Sequence, residues 1–154
     1  MRILSIDEAR SVDRHTSKEL GIQSETLMRN AGNAVAEKVK KMLAVDSGIR
    51  VLLLCGKGNN GGDGYAAAEL LVSWGFDCFI YTSVAQNQIS GEAKTFHDRC
   101  AESGLEITYE LKSSDISLSD FDLIIDGLLG TGIKGQVRPD TAEWIDAINE
   151  NITE

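Results

Sequence analysis

The chain has 154 residues, 42% of them apolar and 25% charged, with a formal net charge of −9 at pH 7. That length suits one domain with a core of ordinary extent. The acidic balance argues against nucleic acid and anionic membranes as partners, because both reward basic patches.

In chain order, Ser5-x-x-Glu8 reads as a capping box that opens a first helix, running to about Leu20 and ended by Gly21. A second helix is expected from about Ser24 to Leu43. Its apolar residues at 27, 28, 31, 35, 39, 42 and 43 form a helical stripe, with Met28 and Met42 as core filler. An apolar strand over 51–55 runs into Gly56-Lys57-Gly58-Asn59-Asn60-Gly61-Gly62-Asp63-Gly64, and this glycine-rich turn runs into a helix reaching about Trp74 and Gly75. A strand over 77–82, a helix over 90–103 and a short strand Ile107-Thr108-Tyr109 follow. Lys112 to Asp120, rich in serine and aspartate, reads as a solvated loop. A strand over 122–126 leads into a second glycine loop, and Pro139 with Asp140-x-x-Glu143 starts a last helix.

This alternation predicts an α/β protein: a three-layer Rossmann-like fold with a parallel sheet, helices on both faces and an N-terminal helical pair. The sequence stops after the last helix, where another parallel strand is expected. An unpaired sheet position is a liability, so the expectation is one domain over 1–154 truncated before its last strands. No apolar run approaches the roughly 20 residues that span a bilayer. Met1 to Ser5 is followed at once by Asp7, Glu8 and Arg10, so no signal-peptide core is read and a cytoplasmic protein is expected.

Five glycines within nine residues, at 56, 58, 61, 62 and 64, are more than a connector needs. They permit positive φ and a close approach of ligand to main-chain N–H groups. Gly56-x-Gly58-x-x-Gly61 matches the dinucleotide fingerprint in form, and the strand-then-helix context is right. An ordinary dehydrogenase fits less well. The residues after the second strand (Ser83, Val84, Ala85, Gln86, Asn87) offer no carboxylate for ribose hydroxyls, and Asp63 stands where a pyrophosphate wants only donors. An amide-rich loop with one acid suits a cation and polar hydroxyl or amide groups at least as well; a ligand-free turn is the bland alternative.

The second loop, Asp126-Gly127-Leu128-Leu129-Gly130-Thr131-Gly132-Ile133-Lys134-Gly135-Gln136, also follows an apolar strand. In a parallel sheet both loops emerge at the carboxyl edge, where open α/β folds bind ligands. Asp126, at the strand tip, is the best acid/base or cation-ligand candidate, unless it only caps loop amides. Thr131, Lys134 and the amides of Gly130, Gly132 and Gly135 form a plausible phosphate cradle. Cys55, Cys78 and Cys100 show no CxxC spacing and read as buried free thiols. Cys55 is read as core rather than nucleophile. His15 and His97 are too scattered for a zinc site.

The two glycine loops together, with Leu27-Met28-Arg29-Asn30-Ala31-Gly32 before them, resemble the YjeF N-terminal domain family of NAD(P)H-hydrate epimerases, related to apolipoprotein A-I-binding protein. The likeness runs from about Ile3 to Ile148. It departs at Arg29, where the family usually carries an acid.

The resemblance implies an isomerase that interconverts the S and R forms of hydrated NADH or NADPH. It implies that Asn59, Asn60, Gly61, Gly62 and Asp63 hold the nucleotide, together with Gly130, Thr131, Gly132, Ile133, Lys134, Gly135 and Gln136. Asn60 and Asp126 would be ligands of a potassium ion, and Asp126, or Asp63 next to it, would carry the proton as general acid and base. The family also uses an Asp and a Ser from a following strand, in a segment that this sequence does not reach. A homodimer and a fused or separate ADP- or ATP-dependent dehydratase are further expectations. The rival reading is a non-catalytic nucleotide-binding or protein-interaction module on the same fold.

Overall fold

The computed structural model describes residues 4–43, 48–133 and 135–151. Helix α1 (Ile6–Lys18) starts as its sequence indicates. The Glu8 N–H donates to the Ser5 hydroxyl at 3.3 Å, and the Ser5 N–H donates to the Glu8 carboxylate at 2.8 Å. None of the described side chains of α1 is buried. Helix α2 (Ser24–Met42) buries Met28, Gly32, Ala36 and Val39, one stripe at helical spacing. That stripe continues to Leu43, which packs against the core, while Met42 points away and is 57% exposed. Met42 is therefore not core filler.

Strands β1 (Arg50–Cys55), β2 (Asp77–Thr82), β3 (Ile107–Tyr109) and β4 (Leu123–Gly127) form one all-parallel sheet in the order β3-β2-β1-β4. Helices α3 (Asn59–Ser73), α4 (Gly91–Glu102) and α5 (Pro139–Glu150) connect or follow them. β1 is central and covered on both faces, which is why its sequence is a continuous apolar run rather than an alternation. Val51, Leu53 and Cys55 face the layer containing α2, α3 and α4; Leu52 and Leu54 face Trp144 of α5.

The stretch expected as a solvated loop contributes to that second layer. Ser113–Asp115 and Leu118–Asp120 form single 3-10 turns, and Leu118 is buried beside Leu54 and Trp144. Leu118, with Ile116 packed beside it, reaches the core from among serines and aspartates because the sheet lacks cover there on the α5 side. Trp144 Nε1 donates to the Leu111 carbonyl at 3.1 Å and closes the same layer. Among the described residues no helix is long and apolar enough to cross a membrane.

The strand order positions the site. The chain builds β1, β2 and β3 outward in one direction, then returns to place β4 on the other side of β1. The direction of winding reverses between β1 and β4, so the connections that leave their carboxyl ends diverge and open a crevice there.

Candidate active site

The loops after β1 and β4 leave the sheet side by side. Strand pairing ends with Cys55 opposite Gly127. Contact continues beyond it: the Gly56 N–H donates to the Gly127 carbonyl at 3.0 Å, and Asn60 Nδ2 donates to the Leu129 carbonyl at 2.8 Å. The latter bond staples the first glycine loop to the second.

The glycines serve this close approach. A Cβ on Gly56 would stand 2.2 Å from the Leu128 carbonyl oxygen, and one on Gly61 would stand 1.9 Å from the Gly56 carbonyl oxygen. Gly62 and Gly64 face inward, with the Met28 sulfur at 2.5 Å and Cys55 Sγ at 2.8 Å from their Cβ positions. None of the five has positive φ. The expectation of positive φ is thus corrected: at Gly56, Gly61, Gly62 and Gly64 backbone and core pack too tightly for a side chain, whereas Gly58 has open space.

α3 begins at Asn59 after Gly58, which supplies no side-chain cap. The first-turn N–H groups have no intrahelical partner, and the helix dipole favours negative charge in front of them. They open onto a crevice of about 880 Å³ lined by Asn59, Asn60, Gly61 and Asp63 from the first loop. Gly130, Thr131, Gly132, Ile133 and Gln136 line it from the second. Gly62 is buried in α3, and Gly135, at φ +77°, lies outside the lining. Lys134 falls outside the described residues. Asp126 is exposed at the tip of β4, also outside the lining, and its Oδ1 accepts from the Leu128 N–H at 2.9 Å.

A smaller cavity of about 310 Å³ lies beside the crevice, with α2 residues Leu27, Met28 and Ala31 on its wall. Asp13, Asn59 and Asp63 line both spaces and form the boundary between them. Burial, and then the Asp13 carboxylate, push the Asp63 carboxyl up to about 6. A carboxyl with that affinity takes up and releases protons near neutral pH, the property needed in a general acid or base.

Several lining residues escape a reading of the sequence. Asp13 looks like any polar residue on a solvated helix face, because only the tertiary fold brings α1 over the first loop. Arg138 and Lys57 also border the crevice, and Ser83 lies there at the end of β2, the place where a dinucleotide-binding acid would stand. Arg29 lines neither cavity. Its guanidinium donates to Glu25 at 2.9 Å, Glu25 also receives Arg99, and both arginines lie near the Phe96 ring. Its part is structural. Cys55 is fully buried, and burial, then Cys100, hold its thiol far above the ordinary range, so it has no thiolate to offer. His97 is also buried: Nδ1 meets Asp98 at 2.8 Å and Nε2 meets the Tyr109 hydroxyl at 2.7 Å, which ties α4 to the edge strand β3.

Known proteins share this architecture. The crystal structure of yeast ynu0 superposes with a TM-score of 0.86 at 19% identity, over 97% of this chain and 65% of that one. The chain is 32% identical to the bifunctional NAD(P)H-hydrate repair enzyme Nnr of Thermofilum pendens over 97% of its own length, and spans 29% of that relative. It is 31% identical to the NAD(P)H-hydrate epimerase of Elusimicrobium minutum, over 98% of this chain and 71% of the relative. The profile described as YjeF-related protein N-terminus matches residues 24–154, and the chain belongs to that family.

Proposed function

We propose that the chain is an NAD(P)H-hydrate epimerase, an isomerase that interconverts the S and R forms of hydrated NADH and NADPH. The observation that carries this reading is the meeting of the two glycine loops across one crevice, with uncapped helix amides, two asparagines and a half-buried acid on its walls. The names of the relatives support it. The α3 amides and the Gly130–Gln136 loop suit the phosphates, and the amides of Asn59 and Asn60, each a donor and an acceptor, suit a carboxamide or hydroxyl. Epimerisation breaks the bond between the ring carbon and its hydroxyl and returns water to the other face, so a proton must be given and taken back. Asp126 and Asp63 are the two candidates for that proton.

Potassium belongs to the proposal. The donor set fits it: Asn60 uses its Nδ2 on Leu129 and leaves Oδ1 as an acceptor, and Asp126 has one oxygen on Leu128 and a second available. Backbone carbonyls of the two loops would have to supply the remaining oxygens. The ion would offset the Asp126 charge beside a phosphate-bearing ligand. Cytoplasmic work, a homodimer and a dehydratase partner are part of the same reading; the bifunctional names of relatives support the last.

The test follows one purified epimer of hydrated NADPH chromatographically with potassium present. Conversion well above the uncatalysed drift is expected, and Asp126→Asn should lower it by roughly 100-fold or more. An unchanged rate in Asp126→Asn removes Asp126 from both of its proposed roles. No conversion by the intact protein leaves the binding-module reading as the better one.

A further inference from the structure

Loss of hydroxide from the ring carbon of a hydrated nicotinamide has a definite charge requirement. The carbon–oxygen bond breaks with its electron pair on oxygen, and the departing oxygen needs a proton. The lone pair of the ring nitrogen fills the gap, leaving a cationic carbon–nitrogen double bond. Water then adds to the same carbon from the other face, and the proton returns to the acid. The step balances without an oxidant or reductant. It calls for one protonated carboxyl at the oxygen and one fixed negative charge near the ring.

The boundary between the two cavities holds two carboxyls in different settings. Asp63, in the second turn of α3, is half-buried; Asp13, from α1, is exposed at its own end. Both line the crevice and the smaller cavity, together with Asn59. We infer that Asp13 is a positioning residue of this site: standing with Asp63 on the boundary of both cavities, it holds Asp63 ready as the acid and supplies the negative charge that the ring requires when its hydroxyl departs. This inference rests on the epimerase reading, and it gives the proton to Asp63 and leaves Asp126 to the cation.

The surrounding charges allow the assignment. From α1, Arg14 and Lys18 line the smaller cavity with Asp13; from α4, Glu92 lines it, its carboxylate engaged by the Ser24 hydroxyl of α2 and held below the usual range. Lys57, ahead of α3, and Arg138, ahead of α5, border the larger crevice. Cations are thus present on both sides. Even so, burial and the Asp13 charge outweigh them and raise the proton affinity of Asp63.

The experiment uses the intact protein with potassium, comparing wild type, Asp13→Asn and Asp13→Glu. The Asp63 carboxyl is titrated by ¹³C NMR, and the pH profile of epimerisation is recorded beside it. In Asp13→Asn the Asp63 midpoint should move to lower pH, the alkaline limb of the rate profile should move the same way, and kcat should fall roughly 10-fold or more with KM little changed. Asp13→Glu should recover part of the loss. An unmoved Asp63 midpoint overturns the pairing, as does an unaltered rate. A slower Asp13→Asn enzyme with an unmoved pH profile shows Asp13 to be merely structural and overturns the inference too. If the wild-type protein does not epimerise, the reading of function falls and the catalytic part of the inference with it, whereas the NMR titration still decides whether the two carboxyls are coupled.

Discussion

Asp63 carries the clearest conflict between fold and chemistry at the scale of one residue. It is held half out of water near a second carboxylate, and its proton affinity rises from an ordinary 3.8 to about 6. A carboxyl raised in this way binds its proton more tightly in the folded than in the unfolded chain. Its contribution to stability is therefore complete below pH 4 and is lost as the pH climbs from about 4 through about 6. Asp63→Asn removes that loss. The variant should match wild type in stability near pH 4 and exceed it at pH 7.5, by about 1 kcal/mol once solvent screening of this half-exposed group is allowed for. Denaturant unfolding at the two pH values measures the difference. A variant equally or less stable than wild type at pH 7.5 would show that Asp63 is not held at a cost. A carboxyl raised in this way on the wall of a crevice points to function rather than to packing.

Among the elements, the contact of α2 with α3 is where composition and geometry meet. A Cβ on Gly32 would stand 2.5 Å from the Ala66 Cβ and 2.8 Å from the Ala67 backbone nitrogen. The two helices cross at a distance that only glycine permits, and the run Ala66-Ala67-Ala68 supplies the small facing surface. Gly32→Ala should cost about 1–3 kcal/mol, because neither backbone can give way without moving the first glycine loop. Gly132→Ala, with open space at its Cβ, is the control and should lie within about 0.5 kcal/mol of wild type. Thermal unfolding of both decides it, and equal costs would dismiss the close crossing as the cause. The same helices show what the sequence makes legible. The capping box is a local pattern and reads correctly, and so does the stripe of α2 up to Val39. The pattern extends the stripe to both Met42 and Leu43, yet only Leu43 packs inward, a difference set at the fraying end of the helix. Leu118 was hidden for a different reason: with Ile116 it makes only one i, i+2 pair in a polar stretch, too short to read as an element, and only the bare face above β1 and β4 gives it a place.

On the scale of the whole chain, both glycine loops were visible from composition; in the first, crowded backbone and core exclude a side chain at Gly56, Gly61, Gly62 and Gly64, and in the second Gly135 takes a positive φ. Asp13 was not visible, because the residues it meets at the crevice lie more than 40 positions away in sequence and are brought near by the fold, and Arg138 was not, because it follows the glycine loop without belonging to its pattern. The charge of the molecule bears on the same crevice. The chain carries −9, and a dinucleotide brings further negative charge. Lys57 and Arg138 at the crevice attract it at short range, while the distant carboxylates repel it throughout the approach. Association is governed by the long-range field and dissociation by the contacts. With a Debye length of about 10 Å at 0.1 M salt, screening removes the long-range repulsion and leaves the short-range attraction largely in place. The association rate of ADP-ribose should therefore rise by roughly 3-fold as ionic strength goes from about 20 to about 200 mM, the reverse of the behaviour of a basic nucleotide-binding protein. Tetramethylammonium chloride should supply the ions, since its cation is too large to take a potassium site, and stopped-flow fluorescence can follow the binding. A rate that falls with salt would mean that Lys57 and Arg138 dominate the approach and that the net charge has no part in it.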